Sequence, residues 1–162
     1  MLTVGKDSYV TLEEACAYVE SMHGQEEGTS FRANTDAEAL LRQGCALLES
    51  LNFKGRKVSS KQELSFPRYS PPAKPLDEVP NAIKNAQVEI ALAFADKKTL
   101  EQHKFYEQLK AYGIKSYSMG SLSESFGSSG AALSCATSLA DIPSMYARQL
   151  LQRYLVKGVS II

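Results

Sequence analysis

The sequence has no tryptophan, two histidines (His23 and His103) and three cysteines (Cys16, Cys45 and Cys135). Neither histidine has a histidine or cysteine three or four residues away, so no metal site is expected. The cysteines are widely spaced and odd in number, with no C-x-x-C, which argues against a disulfide framework or a zinc ribbon. Cys16 and Cys45 fall on apolar helix faces and read as buried thiols. Net charge is also absent: 18 lysines and arginines balance 18 acidic residues. A free-standing nucleic-acid binder normally has a basic surplus. Neutrality still permits a protein that surrounds nucleic acid without gripping it. No apolar run approaches the ~20 residues of a membrane span, so no membrane contact is expected. The opening MLTVGKDSYV has no basic stretch followed by an apolar run, and no signal peptide is expected.

Catalytic signatures are missing too. Ser128 and Ser129, between Gly127 and Gly130, resemble a phosphate loop, but there is no GxxxxGK[ST]. The carboxylates sit mostly at helix starts, where capping accounts for them. No nucleophile stands beside a base. The expectation is no enzyme, no catalytic residue, no cofactor and no metal.

What is present is an ordinary globular composition, 44% apolar and 22% charged over 162 residues, which suits one domain spanning 1–162. Thr11, with Glu13 and Glu14 behind it, caps a first helix to about Met22. Residues 23–34, with two glycines and no period, read as a loop. Thr35 with Glu38 forms a capping box for a second helix, which carries Leu40, Leu41, Leu47, Leu48 and Leu51 and stops near Asn52. Gly44 inside it costs about 1 kcal/mol against alanine. Close approach of another backbone and plain tolerance are both open readings. A third helix starts near Pro80, with Ile83, Ala86, Ile90 and Phe94 on its buried side. Residues 96–106 read as a connector. Asp141 and Pro143 open a last helix that Gly158 stops.

Two other segments stand out. Residues 53–80 have little period and contain four of the six prolines in FPRYSPPAKP. Lys54, Arg56, Lys57 and Lys61 cluster there near Phe53 and Phe66, a mixture able to contact phosphates and stack bases. A solvated basic loop is the plainer reading. Proline restricts Phe66 to extended backbone, so the segment would pin the aromatic as a clamp and point Arg68 away. In IKSYSMGSLSESFG, Gly120-Ser121 fits a two-residue turn. It sets Met119 opposite Leu122, Tyr117 opposite Glu124 and Lys115 opposite Phe126. Tyr117, Met119, Leu122 and Phe126 then share one face, and Ser116, Ser118, Ser123 and Ser125 the other.

In order along the chain, YVTLEEACAYV, FKGRKVSSKQELSFPR, VPNAIKNAQVEIALAF, and IKSYSMGSLSESFG ahead of IPSMYARQLLQRYL resemble the head–tail connector (adaptor) proteins of tailed phages. Some relatives of that family carry a DnaT-like single-strand-DNA-binding label. Phe66 departs from the tryptophan that many relatives have before the proline and arginine. The resemblance implies a mainly α fold of about four helices, with a protruding hairpin at about 114–126 and an extended C-terminal tail at about 157–162. It implies a structural virion protein made in the bacterial host cytoplasm and placed at the neck. There, a ring of about twelve copies would bridge the portal and a tail or neck protein, with duplex DNA passing through unbound. Tyr117, Met119, Leu122, Phe126, Val159, Ile161, Ile162 and Arg68 are then candidates for subunit or portal contacts. The tail would add as a strand to a sheet edge, and Arg68 would meet a neighbour's carboxylate. Ser116, Ser118, Ser123 and Ser125 would face the bore. The alternatives are a single-strand DNA-binding replication module, carried by Lys54, Arg56, Lys57 and nearby aromatics, and another neck or tail component.

Overall fold

The computed structural model describes residues 2–69, 78–96, 101, 104, 105, 108, 112, 116–119, 122–125 and 141–156. Helix α1 (Leu12–His23) starts where expected. Thr11 Oγ1 accepts from the Glu14 amide at 3.0 Å, and Glu14 Oε2 accepts from the Thr11 amide at 2.9 Å. This capping box satisfies two of the amides a helix start leaves open. Gly24, at φ 106°, lets the chain break and restart in a backbone region that disfavours side chains.

The restart corrects the expected loop at 23–34: helix α2 runs Gln25–Ala33. Only Gly28 and Phe31 are buried in it, which is too few to leave a period in the sequence. A Cβ on Gly28 would lie 2.1 Å from Glu20 Cγ, so α2 packs close on α1. Helix α3 (Ala37–Glu49) is not capped by Thr35. Asn34 directs the entry instead, with Oδ1 accepting from the Asp36 amide and its carbonyl from the Ala37 amide.

Helix α4 (Asn81–Ala95) follows Pro80 directly. Ile83, Ala86 and Ile90 are buried as expected, and so are Gln87, Val88, Glu89 and Ala91. It is therefore the central helix. One core cluster gathers Tyr9, Leu48, Phe53, Phe66, Ile83, Ile90, Ile142 and Leu151. A second gathers Val10, Cys16, Val19, Phe31, Leu41, Val88 and Ala91. Gly44 has the close-approach role: a Cβ there would lie 2.8 Å from the Gln87 carbonyl oxygen. Above that seam Gln87 Oε1 accepts from the Tyr9 amide, and its Nε2 donates to Ser8 Oγ and the Leu41 carbonyl, each at 2.8 Å.

Helix α5 (Met145–Leu151) begins after Ser144, whose Oγ accepts from the Ala147 amide. It ends at Leu151, well before Gly158. The chain turns and pairs back instead, the Val156 amide donating to the Asn52 carbonyl and the Lys54 amide to that of Tyr154. Strands β1 (Arg56–Lys57) and β2 (Arg68–Tyr69) form one antiparallel pair. Strands β3 (Ser116–Met119) and β4 (Leu122–Ser125) form a second, in the expected register: Met119 opposite Leu122, Tyr117 opposite Glu124. Lys115 and Phe126 lie outside the described residues. The fold class is mainly α with an antiparallel hairpin. Five helices have described bounds where about four were expected, α2 being the addition. The tail at 157–162 lies outside them. No described helix is long and apolar enough to cross a membrane.

Candidate nucleic-acid interface

The stretch 53–69 folds into a clasp around Phe66. That ring meets Phe53 at 4.8 Å, Tyr154 at 5.8 Å and Tyr9 at 6.3 Å, all edge-on. Such pairs add about 0.5–1.5 kcal/mol beyond burial. The Phe66–Pro67 peptide is cis. The Phe66 amide donates to Tyr9 Oη at 3.2 Å, and Tyr9 in turn donates to Glu49. Burial first, then the Glu49 carboxylate, raises the Tyr9 phenol above its ordinary range. Burial likewise pushes the Cys45 thiol up to about 12, with the charges of Glu49 and Asp7 adding to it.

Polar side chains close the clasp on its own backbone. Gln62 Nε2 donates to the carbonyls of Leu64 and Pro67. Arg68 donates to four carbonyls: Lys54 at 2.9 Å, Phe53 at 3.1 Å, Gly55 at 2.6 Å and Ser65 at 3.3 Å. These are partners inside the chain, and they leave the guanidinium charge without a carboxylate among the described residues. Lys57 Nζ reaches the Glu63 carbonyl at 2.8 Å, and Lys54 Nζ the Arg153 carbonyl at 2.9 Å.

Every one of these acceptors is a neutral carbonyl, so the charges stay uncancelled. Among the described residues, the ion pairs join Arg32 to Glu20, Arg42 to Asp7 and Glu38, and Lys84 to Glu14, while His23 Nε2 lies 2.8 Å from Glu89. None involves Lys54, Arg56, Lys57, Lys61, Arg68 or Arg153. Glu63 is the one acidic residue between 53 and 69. Two of these cations lie over aromatic faces: Arg56 over Tyr69 at 5.4 Å, and Arg153 over Tyr154 at 4.8 Å. The result is a basic, aromatic-bearing ledge built by β1, β2 and the turn after α5. Sequence reasoning picked out Lys54, Arg56, Lys57 and Lys61 but missed Tyr69, Arg153 and Tyr154. The dipeptide Arg-Tyr, present at 68–69 and again at 153–154, was the available signal.

The other expected site residues are not brought to this ledge by anything described. Ser116, Tyr117, Ser118 and Met119 lie on β3, and Leu122, Ser123 and Ser125 on β4. Phe126, Val159, Ile161 and Ile162 lie outside the described residues. No group of three or more potential metal ligands occurs among the described residues.

A family model described as "Putative DnaT-like ssDNA binding protein" matches residues 2–160. No curated protein and no solved structure matches the chain. The match spans nearly the whole sequence, ledge included, and the chain belongs to this DnaT-like family.

Proposed function

We propose that the protein binds single-stranded nucleic acid along the ledge, with no chemical step of its own. Cations held over carbonyls and aromatic rings contact backbone phosphates, while Tyr69 and Tyr154 offer ring faces or edges for bases. The carrying observation is that six cations on the 54–68 clasp and the turn after α5 have no described carboxylate within ion-pair distance, in a chain whose other described cations include several that are paired. The family's description points the same way. The test is fluorescence anisotropy with a labelled oligothymidine across a salt series. Contacts to about three to five phosphates give a log–log slope of about −2 to −3.5. Arg56→Ala and Tyr69→Ala should each weaken binding about fivefold or more. Binding that ignores both salt and these substitutions rules the ledge out.

A second reading, the head–tail connector, is favoured by the hairpin. Strands β3 and β4 form a two-stranded sheet of their own, and an isolated hairpin is marginal in water. In this reading Tyr117, Met119 and Leu122 meet a sister copy in a ring at the virion neck, and the 159–162 tail docks on a portal subunit. Met119→Asp with Leu122→Asp should then abolish rings in negative-stain images of protein mixed with portal. Normal decoration of portals by that variant and by a chain lacking 159–162 would eliminate this reading.

A further inference from the structure

Away from the ledge, α1, α2, the C-terminal half of α4 and the approach to α5 enclose an open cleft of about 790 Å³. That is within the ~300–1,000 Å³ range of small-ligand sites. Phe31 and Leu92 give it apolar walls, and Glu27 and Asp96 line it with carboxylates. Glu89 reaches it from α4, only 6% exposed. Its Oε1 holds both of its partners, the Tyr18 hydroxyl at 2.9 Å and His23 Nε2 at 2.8 Å. Its Oε2 has none. No fully buried side-chain oxygen among the described residues lacks a partner, so this one keeps access to the cleft. Ala93 and Ala95 also line the space. They belong to the last turn of a 15-residue helix, where carbonyls lack intrahelical donors and the dipole is negative.

We propose that this cleft binds an organic cation: a primary ammonium on an apolar stem. The stem lies against Phe31 and Leu92, and the ammonium donates to Glu89 Oε2. A buried carboxylate with one oxygen committed and one open is a strong acceptor for a charged donor. Glu27, on the exposed rim, adds attraction for the approaching cation. Water alone would serve the carboxylate but leave the apolar walls wet. The same chemistry is carried by a free alkyl diamine and by a lysine side chain of a protein partner.

The test titrates the full chain with 1,5-diaminopentane, with an acetylated, amidated lysine peptide, and with pentan-1-ol as the neutral control, followed by amide chemical shifts. The cations should saturate with shifts confined to residues around Glu89, and the alcohol should not. Glu89→Gln keeps the acceptor for Tyr18 but removes the charge, and should weaken binding about tenfold. Should that variant unfold, Glu27→Gln on the exposed rim should weaken it about threefold. Glu13→Gln, on α1 but outside the cleft, should leave it unchanged. Response to the peptide alone assigns the site to a protein partner; response to the diamine assigns it to a free amine. No saturable response to either cation, equal response to pentan-1-ol, or unchanged affinity in both cleft variants overturns the proposal.

Discussion

Gln87 and Arg68 perform the same task in two different settings. Each bonds groups that a crossing of chain segments leaves open. Gln87 is fully buried in the α3–α4 seam and satisfies the Tyr9 amide, the Leu41 carbonyl and Ser8 with one neutral amide. Arg68 is half-buried at the edge of the clasp and satisfies four carbonyls with one guanidinium. A charge in Gln87's position would lose its hydration without a counter-ion, at a cost of several kcal/mol. At the water's edge that cost is small, and a fork of five donors is the better tool. The edge solution leaves a residue the buried one does not: a positive charge with no carboxylate beside it. Lys54 and Lys57 repeat the choice. A need for carbonyl donors thus builds a basic ledge in a chain of zero net charge.

The largest effect should come from the buried member. Gln87→Leu preserves volume but leaves the Tyr9 amide and the Leu41 carbonyl without their side-chain partner. Leaving the buried Tyr9 amide unsatisfied costs about 1–3 kcal/mol, and the loss at Leu41, whose carbonyl keeps its place in the α3 ladder, adds about 1, so a total of about 2–4 kcal/mol is expected. Thermal melting should fall by about 5–12 °C in a chain of this size. Oligonucleotide affinity, measured below the transition, should be unchanged. A melting point within about a degree of wild type would mean that water replaces the amide.

Arg68→Ala should cost less stability, about 1–2 kcal/mol, because water can reach the freed carbonyls. It should also weaken oligonucleotide binding and flatten the salt slope by about 0.7, one contact's share. Arg68→Lys separates the two roles. It keeps the charge but cannot span four carbonyls, so stability should fall while the salt slope holds. If Arg68→Ala leaves binding untouched, its charge is purely internal, and the ledge rests on Arg56, Lys61 and Arg153.

The contrast between the two residues also explains what was legible beforehand. The Thr11 cap, the α4 face and the β3–β4 register follow from local chemistry, and the sequence carries them. Gly44 was legible as an anomaly: its cost was visible, but the partner that requires it, the Gln87 carbonyl, is 43 positions away in sequence. Helix α2 was not legible, since two buried positions make no period and Gly28 argues against a helix unless Glu20 is seen beneath it. Thr35 had the right spacing, but Asn34 made the turn first. Arg68 was noticed, but its partners inside the chain were not, because carbonyls at 53–55 and 65 converge only once the clasp has closed. Tyr154 joins the ledge through the pairing of Phe53 with Leu155, which no local pattern signals.

The smallest effect concerns the paired surface against which the ledge stands out. Glu14 accepts from the Thr11 amide and from Lys84 Nζ at 3.2 Å, and these bonds hold its carboxyl below the ordinary 4.5. Asp7 is lowered in the same direction, by the Thr3 amide and by Arg42. A depressed folded value means that the stabilisation is fully present above about pH 4.5 and is lost as pH falls through the folded value. The Glu14 side chain is half exposed, so its pair with Lys84 contributes only about half a kcal/mol. Glu14→Gln keeps an acceptor for the Thr11 amide and removes the charge. The melting difference between wild type and variant should therefore be small and constant from pH 7 to about pH 5, and should close as pH drops further. A difference that persists at pH 3 would assign the effect to the cap and not to the charge. Over the same range Lys84 and Arg42 lose their carboxylates, while Arg56, Arg68 and Arg153 never had them. Acid should make the α1–α4 face resemble the ledge, and oligonucleotide binding should then spread to both surfaces and lose its dependence on Arg56.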